Sequence, residues 1–148
     1  MLTASQAYTY TRRILDAYAV VMQPLSAELD MAPNAVDILL FLANNPGLDT
    51  ARDICTYRKL KPGIVSFHVD NLVREGYLLR TRDPGDRRRC RLVCTDKAAP
   101  IVARGQALQE QFIAQMSAGL APDALETFQH CLTAFAQNLD RMANREES

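Results

Sequence analysis

The stretch from Lys59 to Thr95 constrains this chain most: K-L-K-P-G-I-V-S-F-H-V-D-N-L-V-R-E-G-Y-L-L-R-T-R-D-P-G-D-R-R-R-C-R-L-V-C-T. Pro62 suits the first turn of a helix, where its missing N–H would find no helical partner anyway. Val65, Val69, Leu72 and Val73 then recur at helical spacing as one inward stripe. Gly63, Phe67, Asp70, Asn71 and Arg74 fall on the opposite face, with Ile64, Ser66 and His68 on the flanks. Gly76 is placed to end the helix, because the residue just past a helix often turns left-handed and glycine does so without penalty. Tyr77 to Arg82 and Arg89 to Thr95 read as strands. They are joined by Asp83-Pro84-Gly85-Asp86, which is strong turn chemistry. The product is one amphipathic helix followed by a two-stranded ribbon with Arg87, Arg88 and Arg89 at its tip. Cys90, Leu92 and Cys94 alternate with Arg89, Arg91 and Val93, so the two cysteines are expected to face the core.

Helices are expected on both sides of this segment. Ile14, Tyr18, Val21, Met22 and Leu25 predict a long helix over about Ser5 to Leu29. Pro33 can open a second helix, continued by Val36, Leu39, Leu40 and Ala43 and ended before Pro46-Gly47. Thr50-Ala51-Arg52-Asp53 resembles a capping box, with a carboxylate near the positive end of the helix dipole. That third helix runs to about Arg58, and the turn Lys59-Leu60-Lys61 joins it to the fourth as a helix-turn-helix. Thr95 is the expected N-cap of a fifth helix to about Ala118, with Ile101, Leu108, Phe112 and Met116 as its stripe. Pro100 would delay its start or kink its first turn. After Pro122, Leu125, Phe128, Leu132, Phe135, Leu139 and Met142 recur in alternating steps of three and four. Such strict spacing marks a packing seam between paired helices. The expected fold is mainly α with a small β wing. The expected divisions are 1–30 as an N-terminal dimerisation helix, 33–97 as the winged helix-turn-helix, 98–143 as C-terminal dimerisation helices and 144–148 as a frayed tail.

Charge narrows the partner. Lys plus Arg and Asp plus Glu balance at 17 each over 148 residues. Between Arg52 and Arg91, however, eleven basic residues face five acidic ones, a surplus of six positive charges. A polyanion partner accounts for this better than general solubility. A helix and a narrow ribbon are the two shapes that enter the grooves of a duplex, and an inserted arginine suits the potential of a narrow minor groove. Double-stranded DNA is therefore the expected partner. Gly63 inside the first turn costs about 1 kcal/mol against alanine. Close approach to a phosphate would justify it, and plain flexibility at a helix end would serve as well.

Other classes find less support. No apolar run reaches the roughly 18 residues of a membrane span. The start M-L-T-A-S-Q-A-Y shows no secretion signal, and the four cysteines lack a CxxC pair, so reduced thiols in a cytoplasm are expected. There is no Gly-rich phosphate loop, nucleophile elbow or zinc signature, so neither an enzyme, nor a cofactor, nor a metal site is expected. His68, Cys90, Cys94 and His130 lack ligand spacing. Cys55 beside Arg52 and Arg58 reads as a small buried thiol before a reactive one.

The segment resembles the MarR family of bacterial winged helix-turn-helix regulators. The resemblance rests on Leu60 to Ser66, Val69 to Leu72, Glu75-Gly76-Tyr77-Leu78 with Arg80, Asp83 to Arg88, and Leu92 to Lys97. The D-P-x-D-R-R wing is its most specific part, and the order of helices extends it over nearly the whole chain. The resemblance implies a homodimer with interlocked terminal helices, a recognition helix in each major groove and a wing in each flanking minor groove. It also implies a repressor released by a small-molecule, metal or oxidant effector. By position it assigns DNA contact to Lys61, Gly63, Ile64, Ser66, Phe67 and His68. Asn71 and Arg74 come second, Arg87 and Arg88 lie in the wing, and Asp86 is the carboxylate partner of Arg88. Phe67 stands where the family usually has a polar or basic residue. It would meet a thymine methyl or a protein, and the latter supports the alternative of a winged-helix protein-interaction module. His68 lies near the core stripe, as a partly buried histidine before a reader. Ala98-Ala99-Pro100 replaces the family's glycine after Thr-x-Lys. The family's effector crevice would draw on Tyr8, Tyr10, Arg13, Tyr18 and Phe41, which suit an aromatic carboxylate or an ordinary core. Family redox sensors carry a cysteine near the first helix, and this chain has none there.

Overall fold

A computed structural model describes residues 1–144; of the expected frayed tail, all but Asn144 lies outside the described residues. The described residues divide into two compact units, Met1–Phe112 and a second that begins at Ile113. In the first unit, α1 (Ala4–Glu28), α2 (Pro33–Asn44), α3 (Ala51–Arg58) and α4 (Pro62–Arg74) precede β1 (Leu78–Arg82) and β2 (Cys90–Cys94). Helix α5 (Ala99–Met116) follows, and α6 (Pro122–Ala143) lies in the second unit. No helix among the described residues is long and apolar enough to cross a membrane.

Helix α2 is the post around which the first unit is built. Seven of its twelve residues are buried, so it is apolar on nearly every side. One side, with Ile38, Leu39 and Phe41, joins Ile54, Val65, Val69, Leu72, Leu78, Leu92 and Ile101 in the main core. Val36 and Leu40, four residues apart on its other side, meet Met22 and Leu25 of α1. Gly105 of α5 is required here: a Cβ on it would lie 2.6 Å from a methyl of Leu40. Burial of the α4 stripe is as expected, with Val65, Val69 and Leu72 between 1% and 3% exposed.

The helix ends follow their sequence signals. The Thr50 Oγ1 accepts from the Asp53 N–H at 3.1 Å, and Asp53 Oδ2 accepts from the Thr50 N–H at 3.0 Å, the reciprocal pairing of a capping box. Gly76 adopts φ +83°, and the bonds Gly76 N–H to Val73 O (3.1 Å) and Tyr77 N–H to Leu72 O (2.9 Å) close α4 as a Schellman motif. The expected N-cap role of Thr95 does not hold. Its hydroxyl donates to Gly76 O at 2.6 Å, and Lys97 Nζ donates to Glu75 O at 2.6 Å while lying 4.4 Å from the Tyr77 ring centre. Thr95 and Lys97 thus satisfy carbonyls left open by α4. Helix α5 starts only at Ala99, with Pro100 in its first turn, where the absent N–H costs nothing.

In the second unit, α6 buries none of its residues. Phe128, Leu132, Phe135, Leu139 and Met142 are all exposed, by 49% to 65%.

Candidate nucleic-acid interface

Two elements carry the candidate site, α4 and the β1–β2 hairpin. The strands are antiparallel, with Leu78 opposite Cys94 and Arg82 opposite Cys90. Arg80 of β1 pairs with Asp70 of α4, so the hairpin and the helix are tied by charge as well as by Leu72, Leu78 and Leu92 in the core. A cleft of about 400 Å³ remains between α3, α4 and the hairpin, lined by Cys55, Ser66, Val69, Arg80 and Cys90 among others.

The outer face of α4 is open. Lys61, Gly63, Ile64, Ser66 and Phe67 are exposed. Phe67 reaches 61%, far more than an apolar ring needs. Its ring meets that of His68 edge-on at 5.2 Å. His68 is half-buried, as its place on the flank implied. Asn71 is half-buried and accepts from the guanidinium of exposed Arg74. Lys61 is the N-cap and makes no side-chain cap bond. Pro62 has no N–H and the Ile64 N–H donates to Lys61 O at 3.0 Å, so the Gly63 N–H is the first-turn donor left to an outside acceptor. Nothing lies within 4 Å of where a Gly63 Cβ would stand, so the protein itself does not demand this glycine.

The hairpin tip is built by two carboxylates. Asp83 Oδ1 accepts the Gly85 N–H at 3.0 Å, and Asp86 Oδ1 accepts the Arg88 N–H at 2.9 Å. Each aspartate thereby closes a turn over the backbone two residues ahead, the habit that makes Asp a turn residue. Asp86 therefore grips the main chain of Arg88, whereas the expected grip was on its guanidinium. Arg87 and Arg88 are exposed, and among the described residues neither has an ion-pair partner. Arg89 differs: its guanidinium lies 3.4 Å from Asp49 Oδ1. Two open cations thus project from the tip, fewer than the three of the arginine run.

Several features had no local signal. Asp49 stands forty residues from Arg89, and neither the Asp70–Arg80 pair nor the Thr95 and Lys97 bonds show in periodicity. Cys90 is a correction: it is exposed, while Leu92 is buried and Cys94 half-buried. Strand alternation set its face, but the core ends before its position near the hairpin tip. Burial raises the Cys94 thiol above the usual range. The five crevice candidates are dispersed. Tyr8, Tyr10 and Arg13 are exposed on α1, and Tyr8 is about 15 Å along the helix from Tyr18. Tyr18 packs on Phe112 at 5.5 Å and accepts from Gln109 at 2.8 Å. Phe41 is 2% exposed in the core, beneath the Arg58 guanidinium at 5.1 Å. None of the five lines the cleft beside α4.

A helix-turn-helix followed by a hairpin whose tip carries free arginines defines a winged helix-turn-helix protein. Residues 29–89 match the model of the MarR family. No curated protein matches the sequence. Solved structures with the same fold include the transcriptional regulator PA3341, with a TM-score of 0.80 at 21% identity over 91% of this chain and 98% of that one. The S. aureus MepR–DNA complex matches with a TM-score of 0.70 at 19% identity over 93% of this chain and 96% of MepR. CouR from Rhodococcus jostii RHA1 bound to p-coumaroyl-CoA gives 0.67 at 18%, covering 87% of each chain. The fold is that of MarR-family transcriptional regulators.

Proposed function

We propose that this chain is a sequence-specific double-stranded DNA-binding transcriptional regulator and not an enzyme, acting as a ligand-responsive repressor in the cytoplasm. In this reading a homodimer binds a pseudo-palindromic operator. Residues 33–97 read the DNA, while 1–30 and 98–143 supply the dimer contacts. The observation that carries the reading is the open outer face of α4 together with a wing tip whose Arg87 and Arg88 have no ion-pair partner among the described residues. Lys61, Gly63, Ile64, Ser66, Phe67, His68, Asn71 and Arg74 would meet bases and phosphates in the major groove. Arg87 and Arg88 would enter the minor groove, with Asp86 shaping the tip. The apolar row exposed on α6 supports self-association, because a seam of that spacing is normally covered by a second helix. An effector is proposed by analogy with the ligand-bound CouR structure, with Tyr8, Tyr10, Arg13, Tyr18 and Phe41 as its candidate contacts.

The test is a gel shift on the intergenic DNA upstream of the protein's own gene, repeated with aromatic carboxylates. A specific shift that a carboxylate releases is expected. Absence of any shift at low salt would favour the second reading, a protein-binding winged helix, for which exposed Phe67 is the main support.

A further inference from the structure

Asp49 lies in the loop before α3 and is not among the residues proposed to touch DNA, yet it is where the wing is attached. Its carboxylate lies 3.4 Å from the Arg89 guanidinium and 3.7 Å from Arg91 Nε. Its carbonyl accepts the Leu92 N–H at 2.7 Å. Arg89, just before β2, and Arg91 within it are two residues apart, so a single aspartate engages both. Arg91 also reaches Asp83 at 3.3 Å, and Asp83 begins the turn. The Arg89 N–H closes the same turn on Asp86 O at 3.0 Å. Asp49 itself is held firmly, because its neighbour Thr50 caps α3 through the reciprocal bonds with Asp53. A path of ion pairs and hydrogen bonds therefore runs from the base of α3 to the tip carrying Arg87 and Arg88. A two-stranded hairpin alone is marginally stable in water, so its direction depends on such anchors.

Resting on the DNA-binding reading, we propose that Asp49 is a positioning residue. It clamps Arg89 and Arg91 against the helix-turn-helix and so sets the direction in which Arg87 and Arg88 project into the minor groove. The alternative is that Asp49 only neutralises charge. The two accounts predict opposite signs. Removing a carboxylate beside a polyanion site raises the local positive charge and should tighten binding. Releasing the clamp frees the wing and should weaken it.

The experiment uses Asp49→Asn in the full-length protein. This change keeps the Leu92–Asp49 main-chain bond and the Thr50–Asp53 cap. Fluorescence anisotropy at fixed salt should show affinity reduced by about two- to tenfold on operator and scrambled duplexes alike, the scale of losing two partly exposed ion pairs. Adding Asp49→Asn to an Arg87→Ala, Arg88→Ala background should cost nothing further, since the groups it positions are gone. Amide exchange across 83–89 should quicken, which needs no DNA. Tighter or unchanged binding overturns the proposal, as does an undiminished loss in the arginine-free background. Should the wild-type protein bind no duplex, the DNA-binding reading fails, and unchanged exchange at 83–89 would then sink the clamp separately.

Discussion

Helices α4 and α6 have comparable apolar stripes and opposite fates. In α4, Val65, Val69 and Leu72 are buried against α2, α3 and the hairpin. In α6 the row from Phe128 to Met142 is regular and wholly exposed. Periodicity reveals that a face needs covering and is silent on what covers it. For α4 the cover lies within the chain, which leaves the other face free for a ligand. For α6 the proposed cover is a second copy. The reading thus divides the molecule into a part that folds on its own contacts and a part completed by assembly.

The sharpest way to break this division is to charge the α6 seam. Leu132→Asp with Phe135→Asp should abolish self-association in sedimentation and reduce operator affinity by about a hundredfold or more, because two linked half-site contacts become one. An assembled, fully active variant would remove α6 from the dimer interface. The same question asked of α4 gives a different answer. Leu72→Ala should lower folding stability by about 2–5 kcal/mol in chemical denaturation, the usual result of a core cavity.

Smaller effects separate the two parts of the interface. Phe67→Ala should reduce the operator-to-scrambled ratio by about 1–3 kcal/mol if the ring meets a base. Arg88→Ala should instead weaken both duplexes alike, because minor-groove and phosphate contacts carry little base information. Asp86→Ala should resemble a milder Arg88→Ala, since it releases the backbone of the tip and leaves the cation. Unchanged affinity in both wing variants would make the tip a solvated hairpin.

The smallest effect concerns pH. Burial raises the Asp37 carboxyl above its ordinary value, and Arg58 at 3.1 Å only partly opposes this. The protonated form is thus relatively favoured in the folded state. Its stabilising contribution is present below the unfolded carboxyl range and is lost as pH rises through the raised value. Asp37→Asn should flatten that fall in a melting series. Glu28, lowered by Arg104, works in the opposite sense: its contribution is present above the unfolded value and lost as pH falls through the folded one.

Much of the fold was legible because its signals are local. The α4 stripe, the Thr50–Asp53 cap, Gly76 and the Asp83–Asp86 turn each need only a few consecutive residues, and each is found as expected. What escaped were long-range pairings and depth. Asp49 and Arg89 carry no mark of each other across forty residues. Thr95 has the chemistry of an N-cap, but Gly76 O competes for its hydroxyl. Alternation in β2 cannot tell where the core ends, so Cys90 was expected inside. On the candidate site, the exposed face of α4 was readable, whereas the division of the arginine run into two open cations and one clamped one required the fold.

The central claim is that a dimer grips duplex DNA through α4 and the wing, and a salt series on the upstream fragment tests it most directly. Anisotropy titrations should give one dimer per site. The log of affinity should fall linearly with the log of salt, by about 0.9 for each phosphate neutralised. The slope should become shallower in Arg88→Ala. A flat salt response, or binding by a monomer, would contradict the account.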